Sequence, residues 1–190
     1  MEHSMMRRRR FLLVTAASGS VGLTTFPSVA LGQAGHDKTG IKARKKELLD
    51  SAYDCGVEFC TKYSSCSRGS VAALQKAVPF VPEDTGIIKA ASCLSGGATP
   101  TKMANCGAFT GCGMVIGCMY GKGTPESAEA ALDLMHKLHE QFDNEYGSVL
   151  CHGVRLAADA NCADVVGKAA RWTAEILIAV SYTHLRAHET

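Results

Sequence analysis

Residues 105–121 read NCGAFTGCGMVIGCMYG, a stretch that contains five glycines and three cysteines. Its mainly apolar composition predicts a helix from about Cys106 to Tyr120. Each glycine inside a helix costs roughly 1 kcal/mol relative to alanine. A helix that keeps so many glycines therefore indicates that something packs closely against it.

Three of these glycines, Gly113, Gly117 and Gly121, fall within about 80° of arc at about 100° per residue. This glycine stripe predicts a face on which another helix packs closely, including one from a second copy of the chain in a homodimer. The alternative is a surface for a cluster or a planar cofactor. Both interpretations require the helix to be buried.

The rest of the chain after residue 34 is also predicted to be helical. The protein is therefore expected to be an all-α bundle of about five to six helices around the buried glycine-rich helix. The sequence shows no alternating strand pattern and no internal repeat. The other predicted helices are Lys38–Tyr63, one capped by Ser67 and ended by Pro79, one from Pro82 to Gly96, one from Thr124 to Tyr146, and one capped by Asn161.

The helix after residue 123 has the clearest signals. Thr124 is predicted to cap it, Pro125 to occupy its first turn, and Gly147 to end it in the left-handed conformation. A short connection is then predicted to carry Cys151 and His152. The predicted apolar face of the helix consists of Ala128, Leu132, Met135, Leu138, Phe142 and Tyr146.

All nine cysteines lie after residue 34, and no two of them are spaced as C-x-x-C. The odd number argues against a purely disulfide-stapled protein, and the missing spacing argues against a thioredoxin-type site or a zinc knuckle. Cys106, Cys112 and Cys118 are six residues apart, so they point about 120° away from one another on a helix. Cys106 lies at the helix start, where a thiol's pKa is lowered, so it can be a thiolate, whereas the other two are predicted to pack as small apolar residues.

A longer pattern joins a single Cys66, the segment Cys106–Gly111 (C-G-A-x-x-G), and single cysteines at Cys151 and Cys162. This pattern resembles the C_GCAxxG_C_C family of redox-active proteins, over residues 60–177. The resemblance implies a redox role centred on these four cysteines. Further segments that carry it are Gly96–Gly97, Met119–Gly121 and Tyr146–Cys151.

Four thiols from four separate segments suit an iron–sulfur cluster or a closed Cys₄ metal site. Three of them, Cys66, Cys106 and Cys162, fall at predicted helix N-termini, where anionic sulfur is favoured. On stoichiometry the four suit two disulfides equally well. The family is similar to a dihaem cytochrome type that has an iron–sulfur site, and the chain lacks C-x-x-C-H. The resemblance therefore implies only the iron–sulfur part.

Three functions follow as hypotheses. The first is electron transfer, with a redox partner protein, through an iron–sulfur centre. Its predicted ligands are Cys66, Cys106, Cys151 and Cys162. The second is a thiol–disulfide or metal-binding protein that uses the same cysteines, with zinc or copper as the metal. The third is a structural domain stapled by disulfides. No hydrolytic or transferase constellation is present, so any enzymatic role is redox. No role is assigned to Cys55, Cys60 and Cys93.

Histidines offer two further candidates. His136 and His139 are i, i+3 neighbours, a spacing that binds metals but is more typical of half-exposed residues at the rim of a helix. His152 adjoins Cys151 and is the better candidate for tuning a thiolate or a cluster.

Residues 1–34 are predicted to be a cleavable export signal. Arg8–Leu12 (RRRFL) resembles the twin-arginine type, whose cargo crosses the membrane folded, and an ordinary secretory signal is the alternative. The apolar run is too weak to span a membrane, and no lipid-attachment cysteine follows, so no stable membrane anchor is expected. We therefore expect a periplasmic or other extracytoplasmic location, a single helical domain over residues 35–180, and a non-native tail over residues 181–190.

Charge excludes one class of partner. The chain is formally +2, and its first 34 residues carry four arginines and one glutamate, a net +3, which leaves about −1 for the remainder. No basic stripe remains after processing, and aromatic residues are scarce. Nucleic-acid binding is therefore not expected.

Overall fold

Helices make up almost all regular structure of the residues that the computed structural model describes, 38–98 and 101–186. They are α1 (Lys38–Ala43), α2 (Lys45–Tyr63), α3 (Cys66–Ala77), α4 (Thr85–Ala90), a 3₁₀ turn (Ala91–Cys93), α5 (Gly107–Tyr120), α6 (Glu129–Tyr146), α7 (Cys151–Ala157) and α8 (Cys162–Arg186). Over this part of the chain the only β pairing is one isolated bridge, Asn105 with Leu150. The all-α prediction is confirmed, and the predicted export signal lies outside the described residues.

Helix α3 is the most enclosed helix, because nine of its twelve residues are buried. Small residues let the neighbouring helices approach its backbone. A β-carbon on Gly69 would lie 2.8 Å from the Cα of Cys60 in α2. A β-carbon on Gly111 of α5 would lie 3.0 Å from the Cα of Ser67. Larger side chains at these glycines would push α2 and α5 away from α3.

Helices α2 and α8 run antiparallel. Lys45, near the start of α2, forms an ion pair of 2.6 Å with Glu175, whereas the Oη of Tyr53 donates to Asp164 at 2.7 Å, near the start of α8. Three residues beyond Tyr53, a β-carbon on Gly56 would lie 2.7 Å from the Cα of Gly167. The two helices therefore touch backbone to backbone.

An aromatic cluster fills the space between α5, α6 and α8. The ring of Phe142 lies 5.3 Å from Phe109 and 5.6 Å from Trp172, in both cases edge to face. Tyr146 packs 6.1 Å from the same tryptophan. Such pairs contribute about 0.5–1.5 kcal/mol each beyond the area they bury. The cluster therefore ties α6 to the rest of the bundle.

Several predicted helix caps are wrong. Ser65, and not Ser67, caps α3, because its hydroxyl accepts the backbone N–H of Arg68. Ser67 is buried, and its hydroxyl donates to the carbonyl of Ala91 at 2.7 Å. Thr124 does not cap α6, which begins at Glu129 instead.

The predicted face of α6 is also partly wrong. Leu132 is 65% exposed, whereas Leu134 is 4% exposed and packs in the core. The buried positions of α6 follow a strict spacing of four residues: Leu134, Leu138, Phe142 and Tyr146. At about 100° per residue, Leu132 points about 160° away from Leu134 and so faces solvent.

Two predicted helix ends are confirmed, and two segments differ from the prediction. Gly147 ends α6 with a φ of 63°, and the side-chain oxygen of Asn161 accepts the backbone N–H of Asp164 at the start of α8. The predicted connection after Gly147 instead contains helix α7, which begins at Cys151. Helix α8 continues to Arg186, past residue 180 at which the helical domain was predicted to end.

The predicted glycine stripe of α5 is not the closely packed face of that helix. A β-carbon on Gly113 would meet only the flexible end of Met135, and one on Gly117 would meet nothing within 4 Å. The close backbone contacts of α5 come from Gly107 and Gly111 instead. A homodimer contact on the Gly113/Gly117/Gly121 face stays a prediction. Within the described residues no helix has the length and apolarity that a membrane span requires.

Candidate functional site

Each of the four pattern cysteines lies at the N-terminus of a different helix. Cys66, Cys151 and Cys162 are the first residues of α3, α7 and α8, and Cys106 is the N-cap of α5. Three of these positions match the sequence prediction. Cys151 differs, because the segment that carries it is a helix and not a connection.

Backbone hydrogen bonds join the start of α5 to the start of α7. The N–H of Cys106 donates to the carbonyl of Val149 at 2.8 Å. In return, the N–H of Cys151 donates to the carbonyl of Ala104 at 2.9 Å. These two bonds flank the Asn105–Leu150 bridge, so they hold Cys106 and Cys151 side by side although 45 residues separate them in sequence.

A glycine contact brings the start of α3 to the same place. A β-carbon on Gly107 would lie 2.6 Å from the Sγ of Cys66 and 3.2 Å from the backbone nitrogen of Ser67. Real β-carbons do not come so close to a neighbouring atom, so only glycine fits here without displacing Cys66. This contact gives a physical reason for a glycine directly after Cys106.

A cleft of about 470 Å³ opens beside these helix starts. Three of the four pattern cysteines line it. The fourth, Cys106, is buried, and it lies close enough to Cys66 and Cys151 for both of them to raise its pKa. The lining residues are Cys60, Ser64, Ser65, Cys66, Cys93, Ser95, Gly96, Ala98, Lys102, Cys151, Arg155 and Cys162. The structure therefore brings the four pattern cysteines into one neighbourhood.

The prediction that Cys106 is a thiolate is wrong for the protein without a bound metal. Burial raises the pKa of Cys106 to about 12, and the nearby Cys66 and Cys151 raise it further. The backbone N–H groups of Ala108 and Phe109 at the start of α5 lower this pKa, but by less. The desolvation cost of the thiolate therefore outweighs the stabilisation that the N–H groups at the helix start provide.

Two cations line the same cleft as the cysteines, and sequence reasoning missed both. The Nη1 of Arg155 donates to the Sγ of Cys162 at 3.2 Å. Burial raises the pKa of Cys151, as do Cys66 and Cys162, while Arg155 and Lys102 act in the opposite direction. Arg155 follows Cys151 by four residues. If the sequence had been read as a helix here, this spacing would have predicted that both side chains lie on the same face of α7.

His152 does not take the position that the sequence suggested. Its side chain is exposed and does not line the cleft. His136 and His139 lie on α6, where their rings stack at 6.4 Å and His136 lies 3.5 Å from Glu140.

A further thiol that lines the cleft, Cys60, was also missed. Its Sγ lies 3.6 Å from the carbonyl oxygen of Cys162. Burial raises the pKa of Cys60 to about 11, and the neighbouring Cys66 and Cys162 raise it as well. Cys93, at the end of the 3₁₀ turn, also lines the cleft and is exposed. Its Sγ lies 3.7 Å from the carbonyl oxygen of Ala90.

Neither Cys112 nor Cys118, the two cysteines within α5, lines the cleft. Cys112 is fully buried, so it packs as predicted. Cys118 is exposed, so the packing role predicted for it is wrong. All nine cysteines are free thiols. Among the described residues, no three His, Cys, Asp or Glu side chains form a ready-made metal site.

The family model described as "Putative redox-active protein (C_GCAxxG_C_C)" matches residues 64–176, which is more than half of the chain. The chain belongs to the C_GCAxxG_C_C family. All four pattern cysteines fall within the matched segment, whereas Cys60 lies before it. No curated protein and no solved structure shows significant similarity to this chain.

Proposed function

We propose that this C_GCAxxG_C_C protein transfers electrons through an iron–sulfur cluster. The proposed ligands are Cys66, Cys106, Cys151 and Cys162. The observation that carries the proposal is the meeting of four helix starts, each with one cysteine, beside one cleft. Cysteine thiolates are the usual ligands of iron–sulfur clusters, and a bound cluster would supply one-electron redox chemistry.

The surroundings of these cysteines fit an anionic cluster. The backbone N–H groups of Ala108 and Phe109 favour a negative charge on the sulfur of Cys106, because they lower its pKa, and N–H groups near the sulfurs tune the potential of a cluster. Lys102 and Arg155 place two positive charges along the cleft. Zinc and copper are the alternative metals, because they also bind thiolates.

The energetic cost of ionising a buried thiol favours a metal bound to these cysteines. Burial raises the pKa of Cys106 to about 12, so its anion is strongly disfavoured in the protein alone. A metal cation replaces the proton and compensates the buried negative charge. The same sulfur in a disulfide would also be neutral, which keeps thiol–disulfide chemistry as a second candidate.

The proposal includes export through the twin-arginine route to the periplasm or another extracytoplasmic location. That route accepts folded cargo, so a cluster inserted in the reducing cytosol would cross with the protein. The proposed partner is a second redox protein that exchanges electrons at the cleft.

The decisive experiment is anaerobic purification of the full chain from the cytosol, followed by absorption spectroscopy and analysis of iron, acid-labile sulfide, zinc and copper. A brown protein that contains iron and sulfide would support the cluster. A colourless protein with zinc or copper would replace it by a metal-binding role. A colourless, metal-free protein would leave thiol–disulfide chemistry as the redox function.

The second candidate has an observation of its own. The hydrogen bond from Arg155 to the Cys162 sulfur polarises one thiol of the cleft, which is the kind of environment that reactive cysteines occupy. Two further thiols, Cys60 and Cys93, line the same cleft without belonging to the family pattern.

A further inference from the structure

The packing of α2 on α8 places Cys60 beside Cys162. A β-carbon on Gly56 would lie 2.7 Å from the Cα of Gly167, and a carbon–carbon bond adds about 1.5 Å. The Cα atoms of these two glycines are therefore no more than about 4.2 Å apart. From this contact, Cys60 lies four residues further along α2 and Cys162 five residues back along α8, so the antiparallel direction brings them to the same level.

The side-chain contacts agree with this register. The Sγ of Cys60 lies 3.6 Å from the carbonyl oxygen of Cys162, and both residues line the cleft. Gly69 of α3 also packs against the backbone of Cys60, since a β-carbon on this glycine would lie 2.8 Å from the Cα of Cys60. Cys60 is thus held in place by two neighbouring helices.

Arg155 orients the second member of the pair. Its Nη1 donates to the Cys162 Sγ at 3.2 Å, and this guanidinium lies on the cleft wall. Cys162 is half-buried on the cleft wall, whereas Cys60 is buried. An external disulfide therefore meets Cys162 first, and Cys60 is in position to resolve.

We propose that Cys60 and Cys162 form an exchange dithiol, positioned by Arg155, that reduces an external disulfide entering the cleft. The proposal deepens the redox role proposed above and concerns the protein when no metal occupies Cys162. Cys60 lies outside the segment that the family model matches, so this pair is a property of this chain's own geometry.

The reaction balances without any other reactant. The Cys162 sulfur attacks one sulfur of the external disulfide RSSR, a mixed disulfide forms, and the first RSH leaves with the Cys162 proton. The Cys60 sulfur then attacks the Cys162 sulfur and expels the second RSH, which carries the Cys60 proton. The protein gives up two electrons as its disulfide forms, and RSSR is reduced to two thiols.

Two other thiols of the cleft, Cys66 and Cys93, fit the resolving role less well. The Sγ of Cys66 is packed against the backbone of Gly107. Cys93 directs its Sγ to the carbonyl of Ala90, within its own turn. Neither contact points to Cys162.

The test uses the full chain, purified under reducing conditions, treated with a chelator and then incubated with oxidised glutathione. We expect the loss of two free thiols per chain and a cross-linked peptide that joins Cys60 to Cys162. Cys60→Ser should stop at the mixed disulfide, with one glutathione retained on Cys162. Cys55→Ser, on the same helix but lining a different part of the surface, is the matched control and should behave as the wild type.

Arg155 is tested by the rate of the first step. Arg155→Met should slow formation of the mixed disulfide by roughly tenfold, and Arg155→Lys should restore most of the rate because it keeps the charge. A loss of packing alone would not be rescued by lysine. Circular dichroism of each variant checks that the helices remain intact.

Two results would overturn the proposal. A cross-link from Cys162 to Cys66, Cys93 or Cys151, or release of glutathione from Cys60→Ser at the wild-type rate, would refute the pair. Iron and sulfide analysis of the untreated protein decides the cluster separately. The two proposals therefore fail on different measurements.

Discussion

Gly107 lies so close to Cys66 that a β-carbon on the glycine would be 2.6 Å from the cysteine sulfur. This contact joins the start of α5 to the start of α3, and it sets the position of one pattern cysteine relative to the next. The glycine of the C-G-A segment therefore serves the site by lacking a side chain.

Gly107→Ala should disturb both stability and the site. The added methyl group must displace the Cys66 sulfur or the Ser67 backbone, so we expect a loss of about 1–3 kcal/mol in the free energy of unfolding. Urea denaturation measures this loss. Gly117→Ala is the control, because its β-carbon would meet nothing within 4 Å. It should be neutral or stabilise the helix by up to about 1 kcal/mol.

Cys106→Ser should remove the metal or cluster from the purified protein. The serine keeps the size of the side chain but replaces the soft thiolate donor. Iron, zinc and copper analysis measures the loss. Cys118→Ser, on the exposed end of the same helix, should retain the wild-type content. Equal losses in both variants would contradict the assignment of Cys106.

Phe142→Ala should be strongly destabilising. Phe142 is fully buried and its ring contacts Phe109 and Trp172, so we expect a cost of about 3–5 kcal/mol in thermal or urea unfolding. Leu132→Ala on the same helix should change stability by less than about 0.5 kcal/mol, because Leu132 is 65% exposed. Similar costs for the two variants would mean that α6 packs in a different register.

Alkaline pH should destabilise the reduced, metal-free protein. Burial raises the pKa of Cys112 from 9.0 to about 11. Above pH 9 this thiol ionises in the unfolded chain while it stays protonated in the folded one. Its contribution is therefore complete below the unfolded pKa and is lost as the pH rises towards the folded pKa. The size of the loss is of the order of 1–3 kcal/mol.

Urea midpoints between about pH 7 and about pH 10 measure this dependence. Cys112→Ala should show a shallower decline than the wild type, whatever its stability at neutral pH. The remaining decline is expected from Cys60 and Cys106, whose pKa values burial also raises. An identical slope in the variant would show that Cys112 does not contribute.

The fold class and most helix positions follow from the sequence alone. Helical spacing of apolar residues predicts α2, α3, α5, α6 and α8, because the period of a helix is a local property of the chain. The left-handed end of α6 follows from Gly147 alone, since glycine adopts that conformation without strain. Errors of one turn, as at Thr124, arose because tertiary packing decides which candidate cap is used.

Tertiary structure alone decided which cysteines meet. Cys66, Cys106, Cys151 and Cys162 are separated by loops and whole helices, and no local rule relates such distant positions. Their neighbourhood depends on Gly107, on the Asn105–Leu150 bridge, and on the close approach of α2 to α8. Cys60 and Arg155 line the cleft for the same reason. The sequence specifies the chemistry of each side chain, but packing between distant segments determines which residues become its neighbours.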